Sequence, residues 1–166
     1  MTDRTKVIVA VGMSLAYLLT VSTIYILAPD RLIEPEQFPE KCPEDSRNCS
    51  MIGPNSYRSE GLTELRFNSS LDSVMSQASS WVSSEHGTTT LMEWPAQSHF
   101  VFRSLFFRFP DDFVIKGFCD QGDAVIHVYS ESRLGISDLG VNTERVQRFA
   151  EHMYNIEMPT LECEER

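Results

Sequence analysis

"AVIHVYSESRLGISDLGVNTERVQRFAEHMY", Ala124 to Tyr154, carries two periods, and the fold follows from them. Residues 124–129 alternate within a run rich in β-branched and aromatic side chains, which is the pattern of a strand. From Thr143 to Tyr154 the apolar residues Val146, Phe149, Ala150, Met153 and Tyr154 recur at helical spacing. That spacing makes a single buried stripe. The connection between the two is dense in polar residues. Asn142 stands where an N-cap is needed, its side-chain oxygen able to accept from a first-turn N–H. Val141 and Val146 then occupy the two positions of a hydrophobic staple. Ser130, Ser132, Arg133 and Asp138, joined by Arg103 from a neighbouring strand, are the candidate ligand-binding residues. Arginines and hydroxyls at one end of a sheet can clamp an anion or a carboxylate. The competing expectation is that Arg133 and Asp138 pair with each other and hold the loop shut.

Upstream, residues 88–94, 98–109 and 113–119 read as further strands. "PDD" (Pro110 to Asp112) and "DQGD" (Asp120 to Asp123) supply turn chemistry between them. Before these, "LTELRF" reads as a short strand. "SSLDSVMSQASSWVSSEHG" then places Leu71, Val74, Met75, Ala78, Trp81 and Val82 on one helical face. Ser69 with Asp72 resembles a capping box, and Gly87 is placed to end that helix. Short connections between the last four strands imply an antiparallel sheet, and two single-striped helices need one apolar face to cover. The expected fold is α+β, two-layered and mainly antiparallel. Its strand, helix, four strands, helix order resembles the topology of the TATA-binding-protein fold. The globular part is expected over 58–156, with an acidic tail at 157–166.

The N-terminal region is of another kind. "VIVAVGMSLAYLLTVSTIYILA", 7–28, is 22 residues without a charge. As a helix it covers about 33 Å, enough to cross a bilayer core. Arg4 and Lys6 precede it, and the mainly acidic Asp30, Arg31, Glu34 and Glu36 follow it. The positive-inside rule keeps residues 1–6 in the cytoplasm and exports the remainder. Residues 29–57 are rich in Pro, Glu, Asn and Ser and read as a linker. The formal net charge of −10 repels nucleic-acid phosphate and argues against a nucleic-acid partner.

Cys42 and Cys49 enclose a short loop, "CPEDSRNC", and form the expected disulfide of an exported domain. The pairing of Cys119 and Cys163 stays open. Asn48-Cys-Ser and Asn68-Ser-Ser match the glycosylation acceptor pattern. No Gly-x-Ser-x-Gly elbow, no Ser-x-x-Lys and no helical His pair occurs, so no metal or cofactor is expected.

"CPEDSRNCS", "FRSLFFRFPDDFVIK" and "VIHVYSESRLGISDLGVNTERV" together resemble the bacterial and plastid family catalogued as domain of unknown function 1499. The similarity runs from about Cys42 to Met153. Its specific part is the Ser-x-Ser-Arg-x-Gly-x-Ser-Asp-Leu-Gly-x-Asn signature, met here by Ser130, Ser132, Arg133, Gly135, Ser137, Asp138, Gly140 and Asn142. The resemblance implies a small membrane-tethered or exported domain and no particular reaction. The expected function is a single-pass, membrane-anchored, extracytoplasmic module that binds a small molecule or an envelope protein. A hydrolase-like enzyme using Ser132, Arg133 and Asp138, or a structural envelope protein, are the alternatives.

Overall fold

Among residues 2–164, which the computed structural model describes, three helices and a six-stranded antiparallel sheet form. α1 (Asp3–Leu27) is apolar on every side and is long and apolar enough to cross a membrane. β1 (Cys49–Ile52) and β2 (Leu65–Phe67) precede α2 (Leu71–Ser84). β3 (Thr88–Trp94), β4 (Gln97–Arg103), β5 (Pro110–Asp120) and β6 (Asp123–Ser132) then follow as a meander, and α3 (Val141–Asn155) closes the chain. The sheet order is β1-β6-β5-β4-β3. β2 also pairs with β6, opposite residues 124–126, while β1 takes residues 128–131 of the same edge.

One sheet face carries both helices, as the two stripes require. Trp81 of α2 meets Phe149 of α3 edge-on at 5.2 Å between ring centroids, and Phe149 meets Phe113 of β5 at 5.5 Å. Phe100, Phe102, Ile115, Ile126 and Val128 complete this core. The opposite face would lie bare if residues 29–57 were a spacer. They are not: Ile33, Cys42, Cys49 and Met51 pack with Val114 and Tyr129 on that face. The polar composition of the segment hides a few apolar anchors and a strand, spaced too irregularly to show a period.

Several local expectations are corrected. Ser70, not Ser69, caps α2, its hydroxyl accepting from Ser73 N. The α2 helix ends at Ser84, and Gly87 serves the turn beyond it. Gly87 has φ of 75°, and a Cβ there would stand 2.5 Å from the Arg103 carbonyl oxygen. β4 stops at Arg103, and the turn expected at Pro110–Asp112 lies instead at residues 104–109. Pro110 opens β5, where its missing N–H costs least. Asp111 and Asp112 are both buried within that strand, because arginines from distant parts of the chain neutralise them.

Both cysteine pairs are closed: Cys42–Cys49 as expected, and Cys119–Cys163 as well. The second bond ties down the C-terminal segment, whose Cys163 N–H also donates to Gly122 O at 2.8 Å. The expected acidic tail is therefore fastened to the β5–β6 turn. Its final two residues, Glu165 and Arg166, lie outside the described residues.

Candidate functional site

The start of β5 organises the polar side chains. Adjacent strand residues point to opposite faces, so Asp111 and Asp112 collect different partners. On the helix side, Arg145 Nη2 donates to Asp111 Oδ2 at 2.8 Å, and its guanidinium lies 4.3 Å over the Phe102 ring. Arg145 also reaches Ser130 Oγ at 3.1 Å and Asn142 Oδ1 at 2.5 Å. Asn142 donates in turn to Ser132 Oγ at 2.9 Å and to Asn48 O at 3.1 Å. On the other side, Arg133 grips Asp112 with two bonds of 2.6 and 2.9 Å and donates to Asp30 Oδ1 at 2.6 Å. Arg103 donates to the same Asp30 oxygen at 2.7 Å, and its guanidinium lies 4.3 Å from the Tyr25 ring centroid.

His99 adds a third bond to Asp112, with Nε2 2.7 Å from Oδ1. Its Nδ1 accepts from Ile33 N–H at 3.1 Å. The ring is thus a neutral tautomer with its proton on Nε2, and both nitrogens are engaged. Buried completely, it offers no lone pair to a substrate.

The signature loop is therefore stapled, although not by the expected pair. Arg133 and Asp138 do not bond to each other. Asp138 instead accepts from Gly140 N at 2.9 Å and from Asn142 N at 2.7 Å. It supplies the capping role expected of Asn142. The α3 helix begins one residue before Asn142, after Gly140 at φ of 91°, and no side chain of the formal cap residue bonds to the first turn. Val141 is half exposed and is the first residue of the helix, not the residue before its cap, so it does not hold the staple position expected of it. Asn142 lies wholly buried inside the first turn. It continues the α3 stripe one turn earlier with Arg145 beside it, a polar extension at i, i+3, i+4 and i+7 that the apolar pattern alone concealed.

Ser130, Ser132 and Asp138 fall within one continuous set of bonds with Arg145, and Arg103 meets Arg133 through Asp30. Sequence reasoning missed Asp30, Asn48, His99, Asp111, Asp112 and Arg145. Asn48 spends its amide on Ser132 O and Gly135 O and sits beside a disulfide. The sequon at Asn48 is consequently closed to modification in the folded state, while Asn68 is exposed.

Burial pushes the Asp112 carboxyl upward, but hydrogen bonds from His99 and Arg133 and the Arg133 charge outweigh it. Its pKa falls below the ordinary carboxylate value. Burial likewise raises Asp138, and the backbone N–H groups of Asn142 and Gly140 reverse that and lower it. For a depressed carboxylate the unfolded chain binds protons first. The stabilisation is complete above the unfolded value of about 3.9 and fades as pH falls through the folded value. The denaturant midpoint should thus drop steeply on the acid side of about pH 4, and Asp138→Asn should flatten that limb. Midpoints measured from neutral pH into the acid range test this; an unchanged acid limb in the variant contradicts it.

Asn142→Ala should cost more than an N-cap, whose loss is about 0.5–2 kcal/mol. It strands partners on β6, on α3 and at Asn48 before β1, and a buried group left unsatisfied costs about 1–3 kcal/mol. A denaturant midpoint equal to that of the parent would contradict the central place given to this amide.

Beside this network an open cavity of about 880 Å³ lies between the end of α2, the 104–109 turn and the start of α3. Arg103, Arg108, Arg145 and Arg148 line it with Glu85 and Asp111. Arg148 is held by Glu85 through bonds of 2.9 and 3.2 Å. Among the described residues Arg108 makes no ion pair. Neither Ser130 nor Ser132 bonds to a histidine among the described residues.

The family described as "Protein of unknown function (DUF1499)" matches residues 34–153. No curated protein matches the chain. The chain belongs to this DUF1499 family, and the match covers the sheet, α2 and most of α3.

Proposed function

We propose that this DUF1499 member is a single-pass membrane protein whose domain lies outside the cytoplasm and binds a small anionic molecule without transforming it. The observation that carries the reading is the arginine-lined cavity, in which Arg108, unlike Arg103, Arg145 and Arg148, has no carboxylate partner among the described residues. In a chain of net charge −10, a local concentration of guanidinium groups marks a place for an anion, which they can grip through paired N–H donors. The apolar, lipid-length α1 supports the tether, and two disulfides fit an oxidising compartment. The flanking charges favour an N-terminus in the cytoplasm.

The hydroxyls of the signature loop take no part in the proposed binding. Their bonds are already made within the protein, which also weakens the hydrolase alternative on Ser132, Arg133 and Asp138. The reading is tested by titrating the full chain in detergent micelles with inorganic pyrophosphate and with citrate, while following arginine side-chain NMR signals. Shifts confined to Arg103, Arg108, Arg145 and Arg148, and lost in Arg108→Ala, are expected. No shift at millimolar ligand, or identical shifts in Arg108→Ala, would refute the cavity as the site. Protease added to spheroplasts tests the placement: the domain should be digested while cytosolic markers survive.

A further inference from the structure

The turn between β4 and β5, "SLFFRF" at 104–109, has a composition at odds with its position. Leu105 is 79% exposed, Phe106 71%, Phe107 48% and Phe109 41%. Four large apolar side chains in six residues form a contiguous apolar tip, which a surface turn ordinarily lacks. The turn is also rigid. Ser104 N donates to Phe109 O at 3.0 Å, Arg108 N to Ser104 O at 3.2 Å, and Phe109 N to Ser104 Oγ at 3.0 Å. Arg108 sits at φ of 61° to close it.

Its neighbour is the anchor helix. Tyr17 Oη donates to Phe106 O at 2.9 Å. Tyr17 lies ten residues before Leu27, about 15 Å along the axis from the end of the helix, within a hydrocarbon layer of about 30 Å. Lower down, Arg103 stacks on Tyr25 and Ile24 is buried against the domain. Tyr25 thus falls at the level of an interfacial aromatic belt.

We propose that the 104–109 turn enters the outer leaflet of the bilayer that α1 crosses, so that the domain holds its membrane at two points. The inference rests on the reading of α1 as a membrane span. The occupant of the apolar tip is lipid acyl chain, because the tip is continuous with the lipid-facing surface of α1. The Tyr17–Phe106 bond has the same logic. A backbone carbonyl and a phenol in hydrocarbon each need a partner, and these two supply one another. Arg108, next to the tip, can lay its stem along the apolar surface and turn its guanidinium back toward the cavity.

The described residues contain no free cysteine, so a single introduced cysteine can carry a spin label on the intact full chain in phosphatidylcholine vesicles. Phe106→Cys and Phe107→Cys should give labels accessible to oxygen and shielded from a water-soluble nickel chelate, like a label at Leu19→Cys in α1. A label at Glu93→Cys on β3 should show the reverse. If Leu19 reports lipid while 106 and 107 report water, the second contact is refuted and the anchor stands. Shielding of 106 and 107 from both relaxants signifies a protein contact and refutes it equally. A label at Leu19 exposed to the chelate overturns the anchor reading itself.

Discussion

Arg133→Ala should destabilise the domain by about 3–5 kcal/mol, the usual cost of removing one partner from a buried ion pair. Against a total of about 5–15 kcal/mol for a domain, that is a large share. The side chains of Arg133 and Asp112 are each within a few per cent of complete burial, so the remaining carboxylate would face neither water nor a countercharge. His99 still donates one hydrogen bond but brings no charge as a neutral ring. Asp30 would lose one of its two arginines, loosening the segment that leads from α1 into the sheet. The pair should behave as a unit. Asp112→Asn with Arg133→Ala should cost markedly less than the sum of the two single changes, since each removes the same contact. Denaturant midpoints of the four proteins decide it. A midpoint for Arg133→Ala near that of the parent, with additive behaviour at 112, would show that the bridge contributes little.

Loss of the Cys119–Cys163 bond should have a similar effect by another route. The bridge spans 44 residues of sequence. In the chain-entropy description, closing such a loop in the unfolded ensemble is worth about 4 kcal/mol, against about 2 kcal/mol for the short Cys42–Cys49 loop. The folded state loses something too. Cys163 is buried and packs against the main core, and its N–H bond to Gly122 depends on the tail staying in place. Cys119→Ser with Cys163→Ser should therefore lower the thermal midpoint by more than Cys42→Ser with Cys49→Ser does. It should also open the segment after α3 to proteolysis. Equal midpoints for the two double variants, or a tail as protected as before, would contradict this ranking.

The two helices, the meander and the sheet they cover were readable because their periods are regular and each buries one face. The first strand of the fold was not, since β1 is four residues buried on both sides within a proline-rich, acidic stretch. A run that short has no period to detect. Asp111 and Asp112 were read as a turn for a related reason. Adjacent acids after a proline are common in turns, and only the tertiary arrival of Arg145 and Arg133 makes them strand residues. The loop candidates Arg103, Ser130, Ser132, Arg133 and Asp138 do lie near one another, although their bonding cannot be inferred from types and spacing. Asn142 is the residue expected at the cap, yet its amide faces inward because the helix starts one residue earlier than the cap preference suggests.

The sharing of one edge of β6 by β1 and β2 bears on how the chain acquires its shape. Apart from the local Met51–Tyr57 bridge, Cys49 to Ile52 pair with residues 128–131, so a chain emerging N-terminus first holds β1 outside the sheet until nearly everything else has followed. Contacts so distant in sequence are slow to form, because loop-closure entropy is lost before pairing repays it. The hairpins among β3, β4, β5 and β6 are local and can assemble early, leaving an open edge and a bare face. A Cys42–Cys49 loop closed during that interval would keep those thiols from meeting Cys119 or Cys163. Early oxidation of the short loop would thus act as a timing device that keeps the late-arriving cysteines for each other.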